Sequence, residues 1–109
     1  MKLQTVILKI DGTTSVAEFK SETSYAALSI AVGGYIERVR LPAHNIEMYL
    51  NEEGKIHRLP INEKATALWV ASYGETDVIC GDVVLIGLVD PEGENESLTD
   101  EQVKTFLAL

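Results

Sequence analysis

A chain of 109 residues, 46% apolar and 24% charged, carries enough material for one packed core and falls outside the disordered and fibrous classes. Its net charge of −8 disfavours direct nucleic-acid binding, which needs an extended basic surface. The longest apolar run, "VVLIGLV" at 83–89, is too short to span a bilayer.

"LQTVILKI" at 3–10 is rich in β-formers and reads as a first strand, not as a signal peptide. "DGTT" at 11–14 carries an Asp-Gly turn signal that leads into a second strand at 15–20. Ser21 is placed to cap a helix with the stripe Tyr25, Leu28 and Val32, and Gly33-Gly34 ends it. In "YIERVRL" at 35–41, alternation puts Tyr35, Glu37, Val39 and Leu41 on one face. Ile36, Arg38 and Arg40 take the other, and Pro42 stops the strand. "NIEMYLN" at 45–51 aligns Ile46, Met48 and Leu50. "NEEG" at 51–54 predicts a turn closed by a left-handed Gly54, making a hairpin from 45 to 59 with "KIHRL" as its second strand.

Asn62 predicts the N-cap of a helix over "EKATALWVASY", with Ala65, Leu68 and Trp69 inward and Gly74 at its end. Loss of that cap is expected to cost about 1 kcal/mol. Residues 77–90 form the strongest β segment, apolar on both faces from Val83 to Ile86. Thr99 and Gln102 make a capping box for a last helix, with Leu98 and Val103 as its hydrophobic staple. The order predicts one α+β domain over 1–109, a mostly antiparallel sheet of about five to six strands covered by two to three helices. Its expected core is Ile7, Leu28, Val32, Val39, Met48, Leu50, Leu68, Trp69, Val84, Ile86 and Phe106.

Little in the chain points to catalysis. His44 and His57 have no metal-ligand spacing, and Cys80 sits at the edge of an apolar strand, where a small buried side chain is expected. One cysteine allows no internal disulfide, which fits a reducing cytoplasm. No metal and no cofactor are expected. Six acids and no base lie between Asp90 and Glu101, whereas five of the nine bases fall between 38 and 64. The strand at 35–41 is the segment with most chemistry. Arg38 and Arg40 can clamp a phosphate, Tyr35 can stack on a base, and Lys55 adds charge. As a surface ladder, the same strand would instead set Arg38 or Arg40 opposite Glu47.

"VGGYIERVRL", "MYLNEEGKIHRLPINEKAT", "ICGDVVLIG" and "LTDEQV", in that order from about Val32 to Val103, resemble the domain of unknown function 3846 family. The resemblance implies a small protein of phages, plasmids or other mobile elements, and it brings no catalytic mechanism. It carries over Gly33, Gly34, Tyr35, Glu37, Asn51, Glu52, Gly54, Lys55, Pro60, Asn62, Ala65, Thr66, Gly81 and Asp82. Among these, Glu37, Lys55, Thr66 and Asp82 have no evident structural role in the sequence. The candidate ligand-binding residues are therefore Tyr35, Glu37, Arg38, Arg40, Lys55 and Thr66. The expected function is that of a non-enzymatic accessory protein, an anti-defence sponge that sequesters a small anionic ligand such as a signalling nucleotide, acting as a homo-oligomer. The alternative is an acidic inhibitor that imitates nucleic acid and binds a host defence protein.

Overall fold

Two local hairpins and one inserted strand build the sheet. In the computed structural model, which describes residues 1–109, β1 (Lys2–Leu8) pairs antiparallel with β2 (Thr14–Lys20). Their turn is fixed by the Asp11 carboxylate, which accepts from the Thr13 N–H at 2.9 Å and hydroxyl at 2.7 Å, and by Gly12 at φ 89°. These Thr13 hydrogen bonds also hold the Asp11 carboxyl below its ordinary range. β3 (Ile36–Leu41) pairs antiparallel with β4 (Ile46–Asn51). β5 (Val83–Ile86) lies between the hairpins and pairs antiparallel with both β1 and β4, giving the order β2-β1-β5-β4-β3. With α1 (Ser24–Val32), α2 (Glu63–Tyr73) and α3 (Asp100–Leu107), this is an α+β fold with a five-stranded antiparallel sheet.

Helices cover the sheet on both faces, so the core is double. On one face, Ile46, Met48 and Leu50 of β4 and Val83 and Leu85 of β5 meet Leu68 of α2 and Val103 and Phe106 of α3. On the other, Leu28 and Val32 of α1 pack on Leu3, Tyr49, Val84 and Ile86. Every residue of β4 and β5 is buried, as strands covered on both faces require. Burial of each such aliphatic side chain contributes about 1.5–3 kcal/mol. The expected core residues Ile7, Val39 and Trp69 are only half-buried and pack at its margins.

The caps are those the residue types dictate, with one exception. Gly33 ends α1 in the left-handed region at φ 79°. Thr99 and Gln102 form the capping box of α3. Asn62 caps α2 by accepting from the Ala65 N–H at 3.1 Å. Ser21 does not cap α1; it opens a 3₁₀ turn, Ser21–Thr23, and its carbonyl accepts from Ser24. Thr23 takes the N-cap position without a side-chain bond.

The hairpin expected over 45–59 is corrected. β4 turns back on β3 instead, and 52–58 fold into consecutive turns. The His57 N–H bonds to the Glu53 carbonyl, that of Arg58 to Lys55, and that of Leu59 to Gly54. The last two are the paired bonds of a helix terminus whose closing residue is left-handed. That residue is Arg58, at φ 54°, while Gly54 is not in the positive-φ region. Gly54 is needed for space, because a Cβ there would stand 2.9 Å from the Cys80 carbonyl oxygen. The 77–90 segment likewise contracts to four strand residues, followed at 87–96 by an acidic hairpin closed by a Val89–Asn95 bridge. Because a left-handed non-glycine residue is strained, Arg58→Gly is expected to raise stability by about 0.5 kcal/mol, read as a higher urea midpoint.

Candidate functional site

β3 is an edge strand, and its two faces carry opposite chemistry. Toward α1 it presents Arg38 opposite Tyr49 and Arg40 opposite Glu47, with both arginines exposed and Glu47 buried. No carboxylate comes within ion-pair distance of either guanidinium. The Tyr49 hydroxyl donates to Asn95 Oδ1 at 2.7 Å, and burial raises the phenol above its ordinary value while Arg38 partly offsets that. Tyr35, just before the strand, is 68% exposed, and its carbonyl accepts from the Glu52 N–H.

The opposite face of β3 forms one side of a cleft of about 280 Å³. Val39, Leu50 and Ile79 make its apolar lining, and Trp69 of α2 closes a wall. The Trp69 indole N–H donates to Thr76 Oγ1 at 3.0 Å, and its ring packs against Tyr73 with centroids 4.4 Å apart. Glu37, Glu52, Lys55 and Asp77 supply the charge around the opening. Lys55 pairs with Asp77, and that hydrogen bond, with the Val78 N–H at 2.8 Å, holds the Asp77 carboxyl below its usual range. Lys55 is thereby neutralised. Glu37 and Glu52 have neither an ion-pair partner nor a side-chain hydrogen bond, so the cleft is left with uncompensated negative charge around an apolar lining.

Of the six candidate residues, the structure brings Glu37 and Lys55 together in this cleft. Arg38 and Arg40 project from the other face, as strand alternation requires, and Tyr35 stands outside the cleft. Thr66 holds the fold together, since its Oγ1 accepts from the Ile79 N–H at 2.9 Å and ties α2 to the segment before β5. Asp82 does the same elsewhere, accepting from the Ile10 N–H at 2.9 Å. Among Glu37, Lys55, Thr66 and Asp82, Glu37 is thus the one to which the fold gives no side-chain bond. Trp69, Glu52 and Asp77 were missed as site residues. An indole on a helix face reads as core, and an acid in a turn reads as punctuation. The exposed Ile56 in an otherwise polar turn was the available signal, since it stands at this cleft and is 75% exposed.

Fold and site together define an antiparallel α+β sheet protein with an acid-rimmed cleft beside a charged edge strand. The chain belongs to the family described as Domain of unknown function (DUF3846), whose model matches residues 1–109 and so extends past the motif blocks at 32–103. No curated protein and no solved structure matches it. No helix is long and apolar enough to cross a membrane.

Proposed function

We propose that the protein is a non-enzymatic binding module that receives a basic segment of a protein partner at the Glu37–Glu52 cleft. The observation that carries this reading is the uncompensated acid. Only two of the seventeen Asp and Glu side chains, Glu22 and Asp77, stand within ion-pair distance of an ammonium group, and a third faces only the His57 imidazole. Two of the unpaired ones flank an apolar cleft. Such a cleft suits a Lys or Arg side chain, whose apolar stem lies on the lining while its charged head meets the carboxylates. The net charge of −8 adds long-range steering toward a basic surface. The mobile-element setting implied by the resemblance agrees with an inhibitor that competes with nucleic acid for a host protein in the cytoplasm.

A second reading, a site for a phosphate-bearing small ligand, has one observation in its favour: Arg38 and Arg40 are exposed side by side with no acid paired to them. Lys55 lies on the other side of the sheet and is already held by Asp77, so the three bases do not converge.

Titration with an octa-arginine peptide separates the two. Glu37→Lys with Glu52→Lys is expected to weaken binding at least about tenfold, as loss of specific charge contacts does. Glu92→Lys with Glu94→Lys changes the net charge equally on the 87–96 hairpin, which packs on the opposite face of the sheet from the cleft, and is expected to weaken it less than about threefold. Equal losses would overturn the cleft reading. A thermal shift with a nucleotide, abolished by Arg38→Glu with Arg40→Glu, would establish the second one.

A further inference from the structure

We infer that the exposed edge of β3 accepts an extended segment of the partner as a sixth strand of the sheet. This rests on the partner being a protein, and it names how that partner is held. In an antiparallel pair both backbone groups of alternate residues point to the same neighbour. The Tyr35 carbonyl bonds toward β4, so Ile36, Arg38 and Arg40 turn their N–H and C=O groups outward. The Tyr73 hydroxyl covers the Arg40 carbonyl, and nothing else in the fold bonds the outward groups of Ile36 and Arg38. The open length of edge therefore runs beside the cleft and stops at Tyr73.

A second copy of this chain does not fit there. Paired antiparallel, the three registers that use most of the strand set Arg38 against Arg38, Arg38 against Arg40, or Glu37 against Glu37. Self-association, if built on a sheet edge, falls to β2. Pairing about Ala17 there sets Val16 opposite Glu18 and Thr14 opposite Lys20, with no like charges directly facing.

A different chain can satisfy β3 with one alternating pattern. Acidic side chains facing Arg38 and Arg40 would alternate with a basic one facing Glu37 and an apolar one facing Val39. One added strand thus engages Glu37 and both arginines, although they project from opposite faces of β3. Backbone bonds would supply the affinity and the alternating side chains the specificity, as in other cases of strand addition.

The test uses the intact chain labelled for NMR and the blocked peptide Thr-Glu-Val-Glu-Lys-Ile-Thr, whose central Glu lies opposite Arg38 in the antiparallel register. The amide signals of Ile36 and Arg38 are expected to shift at millimolar peptide and to exchange more slowly with solvent. N-methylation of the central Glu should remove both effects. Arg38→Glu with Arg40→Glu should lower affinity at least about tenfold, and replacing both peptide Glu residues by Lys should restore it. Unchanged signals at Ile36 and Arg38, or binding that survives N-methylation, would overturn the strand. If octa-arginine still depended on Glu37 and Glu52 in that case, the cleft reading would stand without it.

Discussion

Asn62→Ala is expected to destabilise the fold by about 3 kcal/mol, well beyond the loss of a helix cap alone. Asn62 is 1% exposed, and its side chain makes three bonds at once. Oδ1 accepts from the Ala65 N–H at 3.1 Å, while Nδ2 donates to the Leu8 carbonyl at 2.9 Å and to the Gly81 carbonyl at 3.0 Å. The cap contributes about 1 kcal/mol, and loss of each buried Nδ2 bond to a carbonyl costs about 1 kcal/mol more. Urea unfolding measures the sum. Asn62→Asp separates its parts, because it keeps the acceptor toward Ala65 but turns a carboxylate oxygen against two carbonyls. It is expected to be at least as damaging as alanine. A loss of only about 1 kcal/mol for alanine would mean that the Nδ2 bonds contribute nothing to stability.

Gly87→Ala is expected to cost a similar amount, through space instead of bonding. A Cβ there would lie 2.4 Å from the Glu96 carbonyl oxygen, 2.8 Å from its carbon and 3.0 Å from the Ser97 oxygen, all backbone atoms. A side chain could swing aside, but this backbone is held. The Gly87 N–H bonds to the Glu96 carbonyl at 2.9 Å, and Asn95 Nδ2 donates back to the Gly87 carbonyl at 2.9 Å. Relief requires the 87–96 hairpin to leave the end of β5, at about 3 kcal/mol by the usual scale of overpacking. A lowered thermal midpoint, with new protease cleavage between 90 and 96, is the expected result. The cleft on the other side of the sheet should keep its affinity for octa-arginine in the protein that remains folded.

Local chemistry made much of the fold legible. Asp11-Gly12, Gly33, Asn62 and the Thr99–Gln102 pair each act within a few residues of their own position, so their consequences can be read from sequence. The stretch after Asn51 misled because "NEEG" satisfies hairpin rules, whereas the left-handed position falls on Arg58, a residue that does not advertise it. The alternation of β4 misled differently. Glu47, Tyr49 and Asn51 look like a solvent face, yet all three are buried. Tyr49 is bonded to Asn95, and Asn51 to the Val32 carbonyl. For the site, alternation separated Glu37 from the arginines correctly. The neutralising of Lys55 by Asp77, across 22 residues of chain, was beyond any local rule.

The position of β5 has a consequence for how the chain reaches its fold. β1 with β2, and β3 with β4, are neighbours in sequence and can close as hairpins on the microsecond scale. Neither hairpin pairs with the other; both wait for four residues, Val83–Ile86, supplied late in the chain. Until that strand docks, the inner edges of β1 and β4 are as open as the outer edges of the finished sheet. During synthesis these two inner edges must remain unpaired while about thirty further residues are added, several seconds at ordinary translation rates. Substitutions that weaken β5 should therefore reduce soluble yield more than they reduce the equilibrium stability of the protein that has already folded.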